Sequence, residues 1–319
     1  MLAPATFAEA SRRLRDLGPR ASLMAGGTDL VPRFKRRQIL PEVVVSLHRV
    51  KGSVGIRAEQ DGLSIGAGTT LAQVASDPLI SRYSALRQAA ESAATPQIRS
   101  IATIGGNLCL PPRCSYYDRS ALWRGAQGSC LRSGSGECHV APGASRCMAV
   151  HSGDLAPALL ALGARARLVC GSGERVIPIQ ELFVDDGIAP LAKKPEEVLA
   201  GIHIGRAEGR SVYLKLRRRS SFDYPSLGVA VSLESDGRAR ECRIALGGVG
   251  PAPVVAHDAG RLLVGGRLEP DVVAAAASVA ARLVRPVENS DFTASYRKRM
   301  AAVFVARALN GLREPTGLS

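Results

Sequence analysis

The chain has 319 residues, a formal net charge of +14, 46% hydrophobic residues and only 4% aromatics. Its length and apolar content support two domains with real cores, and it holds no run of about 18 apolar residues that would span a bilayer. The 42 Lys and Arg are scattered, without the basic face and stacking aromatics of a nucleic-acid binder, and such an Arg surplus suits acidic protein partners instead.

Residues 1–18 have the spacing of an amphipathic helix, with Phe7, Ala10, Leu14 and Leu17 on one side, rather than the pattern of a secretion signal. A cytoplasmic location is therefore expected, where clustered cysteines point to metal or redox chemistry more than to disulfides. A strand at Ala21–Ala25 leads into Gly26-Gly27-Thr28-Asp29-Leu30, in which Thr28 or Asp29 suits a helix N-cap. Strand, paired glycines and helix start can present backbone N–H groups to a phosphate, although a tight turn alone would explain the glycines. Glu42–Leu47 is a buried-strand run, and residues 54–68 form a hairpin around Asp61-Gly62. Residues 71–94 are helical in pattern, with a break at Asp77-Pro78.

A second glycine pair follows at Gly105-Gly106, with Gln97, Thr103 and Asn107 close by to meet phosphate or ribose oxygens. Neither loop is a Rossmann or Walker motif, so two of them favour a dinucleotide held by another fold. Beyond the cysteine-rich stretch, Asp154 opens a helix and reads either as its N-cap or as a cofactor ligand. A hairpin spans Ala166–Ile179. The composition turns rich in Asp, Gly, Pro and Lys over 182–195, which divides the chain into 1–182 and 183–319. The second part is expected to hold strands at Glu197–Ile204, Ser211–Arg217, Leu227–Glu234 and Arg240–Leu246, then helices over 255–263, 270–284 and 291–312, an α+β arrangement. Lys215, Arg219 and Asp223 lie between its strands as surface charges or site residues.

Residues 108–148 have neither a strand nor a helix period, yet they contain five of the seven cysteines. So long an irregular segment needs something to organise it. Cys114, Cys130, Cys138 and Cys147 are 16, 8 and 9 positions apart, without the paired-cysteine knuckle of a zinc ribbon. Such spacing suits an iron–sulfur cluster. Zinc held by three cysteines and His139 and a set of inert thiols are the other readings. Cys170 and Cys242 lie on strands as small core residues. Arg99, Arg113, Arg119, Arg124, Arg132 and Arg146 are near the segment in sequence and could offset a cluster's negative charge. No catalytic triad or carboxylate pair stands out, so the chain reads as an electron carrier without catalytic residues of its own.

The motifs AGGTDL (25–30), QIRSIATIGGN (97–107) and SGDLAPAL (152–159), with the Lys215–Arg219–Asp223 run, resemble the FAD-binding subunits of the xanthine dehydrogenase family of molybdenum hydroxylases, over nearly the whole chain. The resemblance implies an α+β fold, with a two-subdomain FAD-binding domain of the vanillyl-alcohol-oxidase-like (PCMH) type followed by a small antiparallel sheet with helices. It implies that Ala25, Gly26, Gly27, Thr28, Asp29 and Leu30, with Thr103, Gly105, Gly106 and Asn107, hold the FAD pyrophosphate, while Gln97, Asp154 and Lys215 contact the rest. The sequence departs at Ser100, where the family usually carries Asn. Residues 109–148 form an insertion that is similar to the one in the beta subunit of 4-hydroxybenzoyl-CoA reductase. On that likeness Cys114, Cys130, Cys138 and Cys147 bind a [4Fe-4S] cluster, and ferredoxin donates electrons that reach a [2Fe-2S] subunit and a molybdopterin subunit through FAD. An oxidatively running hydroxylase of the same family is the alternative, and a zinc-stabilised scaffold a remote one.

Overall fold

The computed structural model describes residues 1–134 and 136–313. The first helix, Phe7–Leu17, begins where Thr6 accepts from the Glu9 backbone N–H at 3.1 Å, and it buries Phe7, Ala10 and Leu14. That face packs on a parallel pair, β1 (Ala21–Met24) and β2 (Val43–Ser46), together with Leu47 and Val50. Parallel strands need a crossover, and the glycine loop with the helix Leu30–Lys35 provides it.

A five-stranded antiparallel sheet follows, built from β3 (Ile56–Glu59), β4 (Gly62–Gly66), β5 (Arg165–Cys170), β6 (Gly173–Pro178) and β7 (Val198–Gly205) in the order β3-β4-β7-β5-β6. The sequence places Glu197–Ile204 with the second part, but the structure sets it at the centre of the first sheet. Its side chains Leu199, Ile202 and Ile204 complete that core across a shift in register, and β4 and β5 would otherwise each present an unpaired edge. The chain therefore leaves the first sheet only after Gly205. Helices Leu71–Ser76, Ser84–Ser92 and Leu155–Ala161 cover the sheet through Leu71, Leu86, Leu155 and Leu159. Each such side chain, fully buried, contributes on the order of 1.5–3 kcal/mol.

The remaining strands, β8 (Arg210–Leu216), β9 (Leu227–Ser235), β10 (Ala239–Gly247) and the two-residue β11 (Val254–Val255), form an antiparallel sheet in the order β11-β10-β9-β8. Its core joins Val229, Val231, Ile244 and Leu246 to Ala276, Ala280, Phe304, Val305 and Leu309 of helices Pro270–Arg282 and Ala294–Gly311. The mixed α+β architecture expected from the sequence is thus present. Helix Leu155–Ala161 also packs on β9 and β10, so one element belongs to both cores, and a Cβ on Gly247 would meet Pro157 at 2.5 Å. Among the described residues no helix is long and apolar enough to cross a membrane.

Candidate functional site

The two glycine loops meet in space. Gly26 lies so close to the second loop that a Cβ there would stand 2.1 Å from the Ile101 carbonyl oxygen, and Gly27 holds a left-handed φ of 71°. Leu71 and Ala102, Ile104 and Thr69, and Gly105 and Ala67 join by backbone hydrogen bonds, which pin the second loop to the turn after β4. Together the loops wall a cavity of about 580 Å³. Ala25, Gly26, Gly27, Thr28, Asp29, Leu30, Thr103, Gly105, Gly106, Asn107 and Asp154 all line it. Gln97 does not. It is exposed at the start of a short helix, outside the cavity lining. Phe222, Asp223 and Tyr224 complete the wall from the loop after β8. Only the long-range fold brings these three there, so local sequence patterns could not single out Phe222 or Tyr224.

Asp154 stands at the N-cap position of its helix, but its carboxylate does not cap it. The helix start is instead satisfied by Asn107, whose side-chain oxygen accepts from the Leu155 N–H at 3.0 Å. Asp154 pairs with Lys215 Nζ at 2.9 Å and accepts from the Tyr213 hydroxyl at 3.0 Å, with both partners rising from β8. Lys215 itself does not line the cavity. It is enclosed, and it also donates to the carbonyls of Ser92 and Asp223 at 3.0 and 2.8 Å. Burial pushes the Asp154 carboxyl up, and the ammonium and phenol oppose this only in part. The short contact and the raised value are consistent, because desolvating the carboxylate outweighs even a close partner.

Ser152 lines the same cavity, is 4% exposed, and its hydroxyl has no partner among the described residues. A buried hydroxyl left unpaired in a glycine-walled cavity suits a cofactor rich in acceptor oxygens. Beside it, His151 is enclosed, with Nε2 3.2 Å from the Leu108 carbonyl and its ring edge-on to Phe183 at 5.0 Å. Burial lowers its pKa from 6.5 to about 4. The unfolded chain therefore binds the proton first, so stability is full above about pH 6.5 and falls as pH drops through this window. The loss approaches about 3 kcal/mol near pH 4. Urea midpoints measured at pH 7 and pH 4.5 should show this drop, and His151→Gln should flatten it. Equal drops in both proteins would rule out His151 as its source.

The cysteine-rich segment is not structureless. It contains a helix at Ala121–Gln127, capped by Ser120, and a turn at Leu131–Ser133. Cys114, Cys130, Cys138 and Cys147 line one narrow cavity together with Tyr116, Tyr117, His139, Val140 and Ala149. No three of their sulfurs lie mutually within 4.8 Å. Burial pushes the Cys114 and Cys147 thiols up. Cys109 lies apart, on the wall of the larger cavity. His139 stacks on Tyr116 at 5.7 Å and approaches the Gly128 carbonyl at 3.3 Å. Of the arginines expected nearby, Arg132 and Arg124 lie over the Tyr117 ring at 4.3 and 5.5 Å. Arg99 turns to the carbonyls of Ala93 and Ala94, and Arg146 pairs with Asp185. Pro111 lines the large cavity and Cys114 the thiol pocket, so their Cα atoms, three peptide steps apart, are within about 11 Å.

Residues 1–206 match the family model for the FAD binding domain in molybdopterin dehydrogenase, and residues 211–312 match that for the CO dehydrogenase flavoprotein C-terminal domain. The chain is 30% identical over 311 residues to the carbon monoxide dehydrogenase medium chain of Afipia carboxidovorans, covering 96% of this chain and 93% of that one. It is 29% identical to the 6-hydroxypseudooxynicotine dehydrogenase complex subunit alpha of Paenarthrobacter nicotinovorans, covering 94% and 89%. A solved carbon monoxide dehydrogenase structure from Hydrogenophaga pseudoflava contains a chain that superposes with a TM-score of 0.81 at 28% identity, covering 98% of this chain and 96% of that one.

Proposed function

Because the chain belongs to the family of FAD-binding medium subunits of molybdenum hydroxylases, we propose that its further cysteine pocket makes it a two-centre electron carrier, with FAD in the large cavity and a [4Fe-4S] cluster on Cys114, Cys130, Cys138 and Cys147. The observation that carries the cluster is the gathering of four sequence-distant thiols in one pocket. A tetrahedral zinc ion with sulfurs at about 2.3 Å would draw them to roughly 3.8 Å from one another. A cubane holds its thiolates farther apart, and it passes one electron at a time. Gly26, Gly27, Gly105 and Gly106 would let the FAD diphosphate approach backbone N–H groups, and Ser152 and Asn107 would meet further oxygens. Asp154, fixed by Lys215 and Tyr213, presents a polar group to the same cofactor.

The enzyme is proposed to be 4-hydroxybenzoyl-CoA reductase, in which ferredoxin supplies electrons and a molybdopterin subunit, reached through a [2Fe-2S] subunit, removes the phenolic hydroxyl. The exposed surface of the cysteine segment suits such a donor. Leu122 is 84% and Trp123 53% exposed, flanked by Arg119, Arg124 and Arg132 with no acidic residue between 119 and 136. An apolar centre framed by positive charge fits a small acidic carrier. A second reading, an oxidative hydroxylase of the same family, is favoured by the dehydrogenase relatives. Replacing Cys130 with Ser separates the cofactors. Iron content should fall steeply while bound flavin stays unchanged. Unchanged iron would remove Cys130 from the ligand set.

A further inference from the structure

Arg113 stands where the two pockets meet. Its backbone N–H and carbonyl pair with those of Val150 at 2.7 Å in both directions, closing the neck through which residues 114–149 enter and leave. On one side of this pair Pro111 and Ser152 line the flavin cavity, and on the other Cys114 and Ala149 line the thiol pocket. The guanidinium then reaches across. It donates to the Asp29 carboxylate and, at 2.6 Å, to the Tyr224 hydroxyl, and it lies 4.3 Å from the Tyr224 ring centre. Asp29 belongs to the first glycine loop and Tyr224 to the loop after β8, and both are walls of the flavin cavity. One side chain thus ties the neck of the cysteine segment to two parts of the flavin site that are distant in sequence.

We infer that Arg113 is a positioning residue that makes filling of the thiol pocket and binding of FAD mutually strengthening. The inference rests on the cluster reading above. Ligation at Cys114 fixes the residue next to Arg113, so the fork is already aimed when Asp29 and Tyr224 close on the flavin. The ordering this requires is met once rather than twice, and linkage makes the effect equal in both directions. Both bonds come from Nη2, and Arg suits the role because its planar, delocalised guanidinium also lies over the Tyr224 ring.

The test is flavin affinity of the full chain, read by quenching of FAD fluorescence, with the thiol pocket empty and after reconstitution with ferrous iron and sulfide. The wild-type protein should bind FAD about tenfold more tightly when iron is present. Arg113→Gln and Arg113→Lys should both bind with the weaker affinity whether or not iron is present. Tyr224→Phe, which removes one acceptor and little volume, should leave a ratio of only a few fold, and it serves if the Arg113 variants do not fold. Iron uptake with no change in flavin affinity would overturn the coupling alone, as would a tenfold ratio persisting in Arg113→Gln. A protein that takes up no iron would overturn the cluster reading and the coupling with it.

Discussion

Replacing Lys215 with Ala is expected to destabilise the protein by about 3–5 kcal/mol, as breaking one side of a buried ion pair generally does. The side chains of Lys215 and Asp154 are 3% and 6% exposed, so water cannot take over the lost interaction. Without the ammonium, a carboxyl already pushed up by burial takes a proton, and Tyr213 loses its charged acceptor. Lys215 also holds the carbonyls of Ser92 and Asp223, which join the helix Ser84–Ser92 to the loop carrying Phe222 and Tyr224. Flavin should therefore be lost along with stability. The double variant Lys215→Met with Asp154→Asn removes both charges and should recover a large part of the melting temperature without recovering full flavin content. A Lys215→Ala protein that melts with the wild type would contradict this role.

Gly26→Ala is expected to have the largest effect on the flavin among single-methyl changes. The added Cβ would overlap the Ile101 carbonyl oxygen at 2.1 Å, and that atom is backbone within a pinned loop. The φ of Gly26 is not left-handed, so the cost lies in separating the two loops rather than in a strained dihedral. Overpacking of this kind costs about 1–3 kcal/mol. If all of it falls on the bound state, FAD affinity drops roughly 5- to 150-fold. Flavin retained through desalting, measured by absorbance on protein of unchanged circular dichroism, reads the effect directly. Full retention would mean that the loops can part without disturbing the site.

Much of this organisation was legible in the chain. The two glycine pairs and the hairpin turns are local signals, and they fall where the sequence sets them. The sequence also marks residues 108–148 as a segment without a hydrophobic period, and Cys114, Cys130, Cys138 and Cys147 of that segment line one pocket. Partnerships made by distant segments were not legible. Asp154 read either as a helix cap or as a cofactor ligand, and Asn107, 47 residues earlier, accepts from the Leu155 N–H and leaves the carboxylate to Lys215. β7 read as the start of the second part because sequence order cannot tell which sheet an apolar strand will complete. Arg297 gave no signal at all. It is wholly buried, donating to the carbonyls of Ser226, Val287 and Gly248, and a lone Arg within a helix reads as a surface residue.

Iron, acid-labile sulfide and flavin determined together on the freshly purified, anaerobically handled protein bear most directly on the two-centre reading. About four iron and four sulfide per FAD are expected, with a broad absorption near 400 nm beneath the flavin bands. Stoichiometric flavin with no iron or sulfide, and all four thiols free to react with a thiol reagent, would contradict it.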